Sequence, residues 1–333
     1  MTIRDPKSII VIFVYLIANG AIIFSGYQMK SEGQSTAAVA KSLAPEFTEI
    51  ENLDYFHLKS GVPQMSLAAI KMRSQGEDLA EFEMPKGVYN YQAKNKTIKY
   101  TAEHGLYKKQ KELLSLDGNV KVNTDEANYS ADKVKYYFKK DLITGKGNVV
   151  FEGDDLKSKD HLTINSESMR AKPEAQLSTF KGNVHGSMLR KKQYEGKLTF
   201  SSQLLDLDGN KSLAHLEGNV HLKRSSYDLT AGKGDIYLEN FNKSLKYFVM
   251  NDDVKMSEKM ETREGIQTRQ AFAERLEGFG REQKMVLSGA PRVEMGKDVI
   301  KGYRITIREN VDLIEVDDAM SDVQVKRQGS AQK

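Results

Sequence analysis

The sequence predicts an all-β fold of repeating antiparallel strands, carried behind one N-terminal transmembrane helix. Three observations predict it. The tripeptide Gly-Asn-Val recurs, with its valines at Val120, Val149, Val184 and Val220. Degenerate copies in "VMNDDVKM" and "LSGAPRVEM" add Val254 and Val293, so successive copies stand 29, 35, 36, 34 and 39 residues apart. Repeats of roughly 20–50 residues mark stacked or serially folded architectures. From about residue 46 onward apolar side chains alternate with polar ones, the period of a strand with one buried and one wet face. Upstream of that point, Ser8 to Tyr27 contains no charged residue.

Composition bounds the rest. The chain has 333 residues, enough for one large or two ordinary domains, and 39% of them are apolar. It has no Cys, which excludes disulfides, thiolate metal sites and a Cys nucleophile. Lys and Arg number 50 against 46 Asp and Glu, a net charge of +4. A nucleic-acid binder carries a stronger basic footprint, so nucleic acid is not an expected partner.

The N-terminus reads as an anchor. The run "SIIVIFVYLIANGAIIFSGY" is long enough as a helix to cross a bilayer's hydrocarbon core, about 30 Å. Arg4 and Lys7 precede it, so residues 1–7 are expected in the cytoplasm and the bulk of the chain outside. A cleaved signal peptide is the rival reading. The small residues "AVA" at 38–40 resemble a cleavage site, but they lie more than ten residues beyond an apolar run that is long for a signal core. Residues 28–45 are small and polar, and they read as a flexible tether.

The strands follow. In "GNVKV", Val120 and Val122 share a face that Lys121 does not; "VKYYF" likewise groups Val134, Tyr136 and Phe138. One segment, "RQAFAERLEGF" at 269–279, has fair helical spacing, but its place in the repeat series assigns it to a strand. The local form of the repeat is apolar–x–Gly–x–Val, as in Leu116-Gly118-Val120, Phe180-Gly182-Val184 and Leu216-Gly218-Val220; Asp252 replaces Gly in the fifth copy. A Gly inside an alternating strand marks a bulge, a bend or a close backbone approach, and Asn tolerates positive φ. Each repeat unit is therefore expected to supply two or more strands bent at the Gly-Asn pair.

These residues resemble the bridge components of lipopolysaccharide transport: the membrane-anchored LptC proteins and the periplasmic LptA (OstA-like) proteins. "YTAEHGLYKKQKELLSLDGNVKV", with Ala102 and Gly105 leading to Gly118-Asn119-Val120, is similar to an LptC core, and "SESMRAKPEAQLSTFKGNVHG" to its closing segment. "RQAFAERLEGFGREQKMVLSGAPRVEMGKDVIKGYRITI" is similar to an LptA repeat. The resemblance covers about residues 1–320 and implies an LptC-like β domain at 46–190, an LptA/OstA-like β domain at 191–320 and a disordered tail at 321–333. It implies a V-shaped β-jellyroll holding lipid acyl chains in an apolar groove. The implied partners are lipopolysaccharide, an inner-membrane ATP-binding cassette transporter complex, and an LptA-like bridge protein or the outer-membrane translocon. The implied compartment is the periplasm of a Gram-negative bacterium.

The same-face apolar members of the repeat are the candidate groove lining: Leu116, Val120, Val122, Val149, Phe151, Phe180, Val184, Leu216, Val220, Leu222, Met250, Val254 and Met256. Those side chains serve equally to fill a closed sandwich core. The last strong strand, "VDLIEV", offers Val311, Leu313, Ile314 and Val316 as an edge for docking a partner, or for a tail that folds back to cap it.

Catalysis finds little support, and neither a metal nor a cofactor is expected. His185 and His221 both follow a repeat Val, so repetition explains them, and His215 with His221 makes a poor ligand pair. The acidic pairs Asp154-Asp155, Asp252-Asp253 and Asp317-Asp318 have the look of turn residues. Lys and Arg in "GLYKKQK", "FKKD" and "LRKKQ" belong on solvated loops, where lipid phosphates are an alternative contact. The chain has no Walker A loop, so any energy for transport comes from elsewhere. Two functions stand: a lipid-transfer conduit, and a membrane-anchored scaffold that binds protein or polysaccharide.

Overall fold

The computed structural model describes residues 47–322, apart from the connections 60–61, 77, 92–95, 125–126, 141, 155–160, 173–174, 190–196, 225–226, 239–244, 263–264, 309–313 and 319. The expected membrane span and tether lie outside the described residues. Among the described residues no helix is long and apolar enough to cross a membrane. Among the described residues regular structure is β, relieved by a 3-10 turn at Phe138–Lys140.

The described residues divide into two compact units, one within 1–154 and 165–180, the other within 155–164 and 181–333. The first unit holds β1 (Phe47–Lys59), β2 (Val62–Gln75), β3 (Leu79–Glu83), β4 (Lys86–Tyr91), β5 (Lys96–Thr101), β6 (His104–Lys108), β7 (Leu113–Thr124), β8 (Ala127–Tyr137) and β9 (Leu142–Asp154). The division falls inside β10 (His161–Lys172) and β11 (Leu177–Leu189). The second unit continues with β12 (Lys197–Asp208), β13 (Leu213–Lys223), β14 (Tyr227–Leu238), β15 (Leu245–Thr262) and β16 (Gly265–Phe279). It ends with β17 (Lys284–Ser288), β18 (Arg292–Met295), β19 (Asp298–Lys301), β20 (Arg304–Arg308), β21 (Ile314–Asp317) and β22 (Met320–Asp322). Residues 321 and 322, expected in the tail, thus form part of a strand that pairs with β19.

Pairing is antiparallel between sequence neighbours. In the first unit β1 pairs with β2, β7 with β8 and β8 with β9. The short strands are halves of longer bent ones: β3 and β4 pair in succession with β2, and β6 and β5 with β7. The second unit repeats this plan. Its strands β12 to β16 form a meander, after which β17 and β18 both pair with β16.

The bend occurs at the repeat motif. On β7 the register passes from Asp117↔Lys133 to Val120↔Ala131, so β7 spends three steps where β8 spends two. The extra residue is accommodated by Gly118 and Asn119 at φ 79° and 44°. Gly147-Asn148, Gly182-Asn183 and Gly218-Asn219 take the same left-handed conformation, and so do Asp252-Asp253 and Gly289-Ala290. Each is a β-bulge that sharpens the local bend. Along a bulged strand the inward side chains therefore stand four residues apart, as Leu116 and Val120 or Leu216 and Val220. On the neighbouring strand they stand three apart, as Ala131 and Val134 or Ala273 and Leu276.

Glycine is required at these bulges by what lies above it. A Cβ at Gly118 would come within 2.7 Å of the Glu103 Cβ, and one at Gly147 would overlap Asp132. Those same carboxylates accept hydrogen bonds from the next residue: Asn119 Nδ2 donates to Glu103 Oε1 at 2.5 Å, and Asn148 Nδ2 to Asp132 Oδ2 at 3.0 Å. In the fifth copy the arrangement is inverted. Asp252 stands where the glycine would be, and the residue across the ladder is Gly232, whose missing Cβ leaves room for the Asp252 Cβ.

Candidate functional site

The inward faces of the strands carry the candidate site. In the first unit Leu116, Val120, Val122 and Val149 are buried with Ala131, Val134, Tyr136 and Ile143, and Phe180 is buried as well. Phe151 is half-buried. In the second unit Val184, Leu216, Val220, Leu222, Met250, Val254 and Met256 are buried with Leu229, Leu276, Leu287, Ile305 and Ile307. Val120 and Val184 are both 0% exposed. Within each unit, strand parity brings these residues to one face because the bulges recur at the same row of its repeats. Removing such a side chain from water contributes about 1.5–3 kcal/mol each, so the inward face supplies the main stabilisation of each unit.

The inward face is not closed everywhere. Ile50 of β1 shares a face with its register partner Met72, yet it is 39% exposed whereas Met72 is buried. Leu53 beside it is half-buried. The face therefore reaches solvent at its first strand. Phe56 and Ile70 are exposed on the β1–β2 hairpin as well.

The outward positions carry charge. Lys121 and His185 are exposed. His221 meets Asp228 at 2.5 Å and His215 meets Asp235 at 2.6 Å, each a cross-strand pair on the β13–β14 hairpin. Asp252 and Asp253, expected at a turn, occupy the bulge and pair with Lys233 and Lys255. An open recess of about 590 Å³ runs along this outer row, lined by Asn219, His221, Asp252, Asp253 and Glu274 among others. Among the described residues no group of His, Asp and Glu is arranged to hold a metal ion. Of the basic loops, Lys139 pairs with Glu112 at 3.3 Å, and residues 190–193 lie outside the described residues.

Two features had no sequence signal strong enough to find them. One is a buried ion pair, Arg269 Nη2 to Glu258 Oε2 at 2.5 Å, in which Arg269 also donates to the Arg308 carbonyl at 3.2 Å. It ties β15 and β16 to β20 inside the second unit. The other is a pair of interior tyrosines, Tyr100 and Tyr129, whose ionisation burial pushes well above the ordinary range. Both are register partners of Val122, one on each side. The residues that cover the bulge glycines did have a signal: a small buried residue directly precedes each, as in Ala102-Glu103, Ala131-Asp132, Ser202-Gln203 and Ala273-Glu274.

Of the expected docking edge, Val311 and Leu313 lie outside the described residues. Ile314 and Val316 form β21 and pair with Ile307 and Ile305 of β20. Both are half-buried.

The profile of a family described as "Lipopolysaccharide-assembly, LptC-related" matches residues 14–189. A second, described as "LptA/(LptD N-terminal domain) LPS transport protein", matches residues 200–312. The curated proteins contain no match to the chain. One solved structure similar to part of it is LptH from Pseudomonas aeruginosa, described as the LptA homologous periplasmic component of the conserved lipopolysaccharide transport device. It shares 13% identity over 38% of this chain and 95% of that chain, with a TM-score of 0.35, too loose a superposition to carry function.

Proposed function

The chain belongs to the lipopolysaccharide-assembly, LptC-related family and continues into an LptA-like segment, and on that premise we propose that it is an inner-membrane-anchored, periplasmic component of lipopolysaccharide transport that shelters acyl chains. The proposal assigns the anchor to residues 8–27, the tether to 28–45, the LptC-like domain to 46–190 and the LptA-like domain to 191–320. The chain acts as a conduit and catalyses no reaction.

The observation that carries the reading is the inward face itself. Several acyl chains cannot cross water exposed, because each buried CH₂ is worth about 0.8 kcal/mol. A row of Val, Leu and Met recurring at every bulge offers apolar cover along each unit without any chemistry. The openness of the face at Ile50 and Leu53 supplies a place for a chain to enter. Energy then comes from an ATP-binding cassette transporter in the inner membrane. β1 faces that transporter, and the last strands, residues 303–325, dock an LptA-like protein or the outer-membrane translocon by β-augmentation.

The scaffold reading draws on the same burial, since Val120 and Val184 at 0% exposure also suit a sealed core. A photo-crosslinking amino acid separates the two. Placed at Val120 or Val220 it captures lipopolysaccharide in cells, and placed at Lys121 or His221 it does not. Equal capture from both faces, or none from either, favours the scaffold.

A further inference from the structure

The interior of the first unit is mainly apolar, with a few buried polar groups such as Ser74, Ser115 and Ser166, and one of its phenols is chemically unexplained. The Tyr129 hydroxyl is buried and has no hydrogen-bond partner among the described residues. Its position is built. Tyr129 pairs with Phe151, on one side of the β8–β9 bulge, whereas Gly145 pairs with Val134 on the other side. The phenol nevertheless reaches Gly145, where a Cβ would overlap its hydroxyl, and Met169 lies against the same point. The ring thus spans the bend. The absence of a side chain at residue 145 makes room for the oxygen.

A buried hydroxyl without a partner is destabilising, and a phenylalanine would fill the same space without that cost. Other copies of the repeat do take apolar residues there. Tyr129 stands two residues before the small inward Ala131; Phe200, Leu229 and Ala271 stand two before Ser202, Ala231 and Ala273. All three lack a polar atom. Tyr100, two before Ala102, is the other phenol, so oxygen at this position is confined to the first unit. Across β5, β7, β8 and β9 the row reads Tyr100, Val122, Tyr129 and Phe151. A chain lying along this row meets mainly apolar surface and, on it, the unpaired Tyr129 hydroxyl.

We propose that the Tyr129 hydroxyl is a specificity-determining contact for an oxygen carried on a bound acyl chain, of which a 3-hydroxyacyl chain is the simplest form. The inference rests on the acyl-groove reading above and narrows it. The chain's hydroxyl gives Tyr129 the partner that the protein withholds, while a plain chain leaves the phenol unsatisfied. A site that hydrogen-bonds a ligand oxygen discriminates against the analogue lacking it because its own buried group is then left unpaired.

The test uses the full chain in nanodiscs of fixed lipid composition, with empty nanodiscs subtracted. Binding of radiolabelled 3-hydroxytetradecanoate is compared with that of tetradecanoate. The native chain is expected to prefer the hydroxylated acid about ten-fold, from a hydrogen bond of roughly 1.4 kcal/mol. Tyr129→Phe is expected to abolish the preference, so that the two acids bind it equally. The unliganded variant should melt no lower than the native chain. Equal binding of the two acids by the native chain overturns the role of Tyr129 and leaves the groove standing. A preference that survives Tyr129→Phe overturns it too. A lower melting temperature in the unliganded variant shows that the hydroxyl serves the fold instead. Failure of the native chain to bind either acid overturns the groove reading and this inference with it.

Discussion

Replacing Gly118 with Ala perturbs one bulge and nothing else, and its cost can be worked from the structure. Two effects add. Gly118 sits at φ 79°, where an L-residue loses about 1–2 kcal/mol. The new Cβ also lands within 2.7 Å of the Glu103 Cβ, which cannot swing aside as the tip of a side chain can. Clearing it displaces Glu103 and breaks its hydrogen bond from Asn119, worth about 0.5–1.5 kcal/mol net. The sum is about 1.5–3.5 kcal/mol. Gly76→Ala is the control, because Gly76 has φ 60° but nothing within 4 Å of its Cβ position, so only the backbone cost remains. Gly218→Ala falls between them, its Cβ 3.0 Å from the Gln203 Cβ. The fifth copy shows the remedy: with Asp252 in the bulge, the covering residue is Gly232. Adding Glu103→Gly to Gly118→Ala should therefore recover the steric part of the loss. Denaturant unfolding of the single and double variants measures the cycle. The reasoning is refuted if Gly118→Ala costs no more than Gly76→Ala, or if Glu103→Gly adds to the loss independently.

The other predictions concern charge and topology. Glu258→Ala should destabilise the second unit by about 3–5 kcal/mol, because it removes the carboxylate that neutralises the buried Arg269; replacing both by apolar residues should cost less than either single change in the same unfolding assay. Glu277 is held below its ordinary value of 4.5 chiefly by the Arg275 guanidinium, at 2.6 Å, with Tyr247 donating as well against the opposing effect of burial. A depressed folded value means the contribution is present above about pH 4.5 and lost as pH falls through the folded value; the stability gap between the native chain and Glu277→Gln should close in that window. Protease added to spheroplasts should digest the bulk of the chain, whereas full protection would exclude the single-span topology drawn from Arg4 and Lys7. Leu313→Pro should lower partner crosslinking at the last strands without unfolding the chain, and unchanged crosslinking would remove the docking edge.

The strands and their bends were legible because both leave local marks. Period-two alternation sets the inward face, and the recurring Gly-Asn pair announces left-handed backbone that few other residues tolerate. The helical look of "RQAFAERLEGF" has a physical cause that the sequence alone does not reveal. The bulge on β15 makes β16 step from Ala273 to Leu276 in three residues, which mimics one side of a helix. What stayed hidden depends on contacts between residues remote in sequence or on opposite sides of a bend. Nothing in "SEKM" or "TRQA" marks Glu258 and Arg269 as a buried pair. Tyr129 likewise reads as one more strand aromatic until its hydroxyl is seen against Gly145. The inverted fifth bulge was visible only in half: Asp252 stood out as a missing Gly, while Gly232 follows the small Ala231 as the other covering residues follow theirs, but its lack of a side chain hid that role.

The central claim is that this chain carries lipid in transit. The most direct test extracts the full chain from Gram-negative membranes, purifies it in its folded state and assays the preparation for bound lipopolysaccharide. The account predicts that lipopolysaccharide accompanies the native chain and that charged residues introduced at Val120 and Val220 deplete it while the outward change Lys121→Glu does not. A folded native chain that emerges free of lipopolysaccharide, under extraction that leaves the lipid on other membrane carriers, would contradict it.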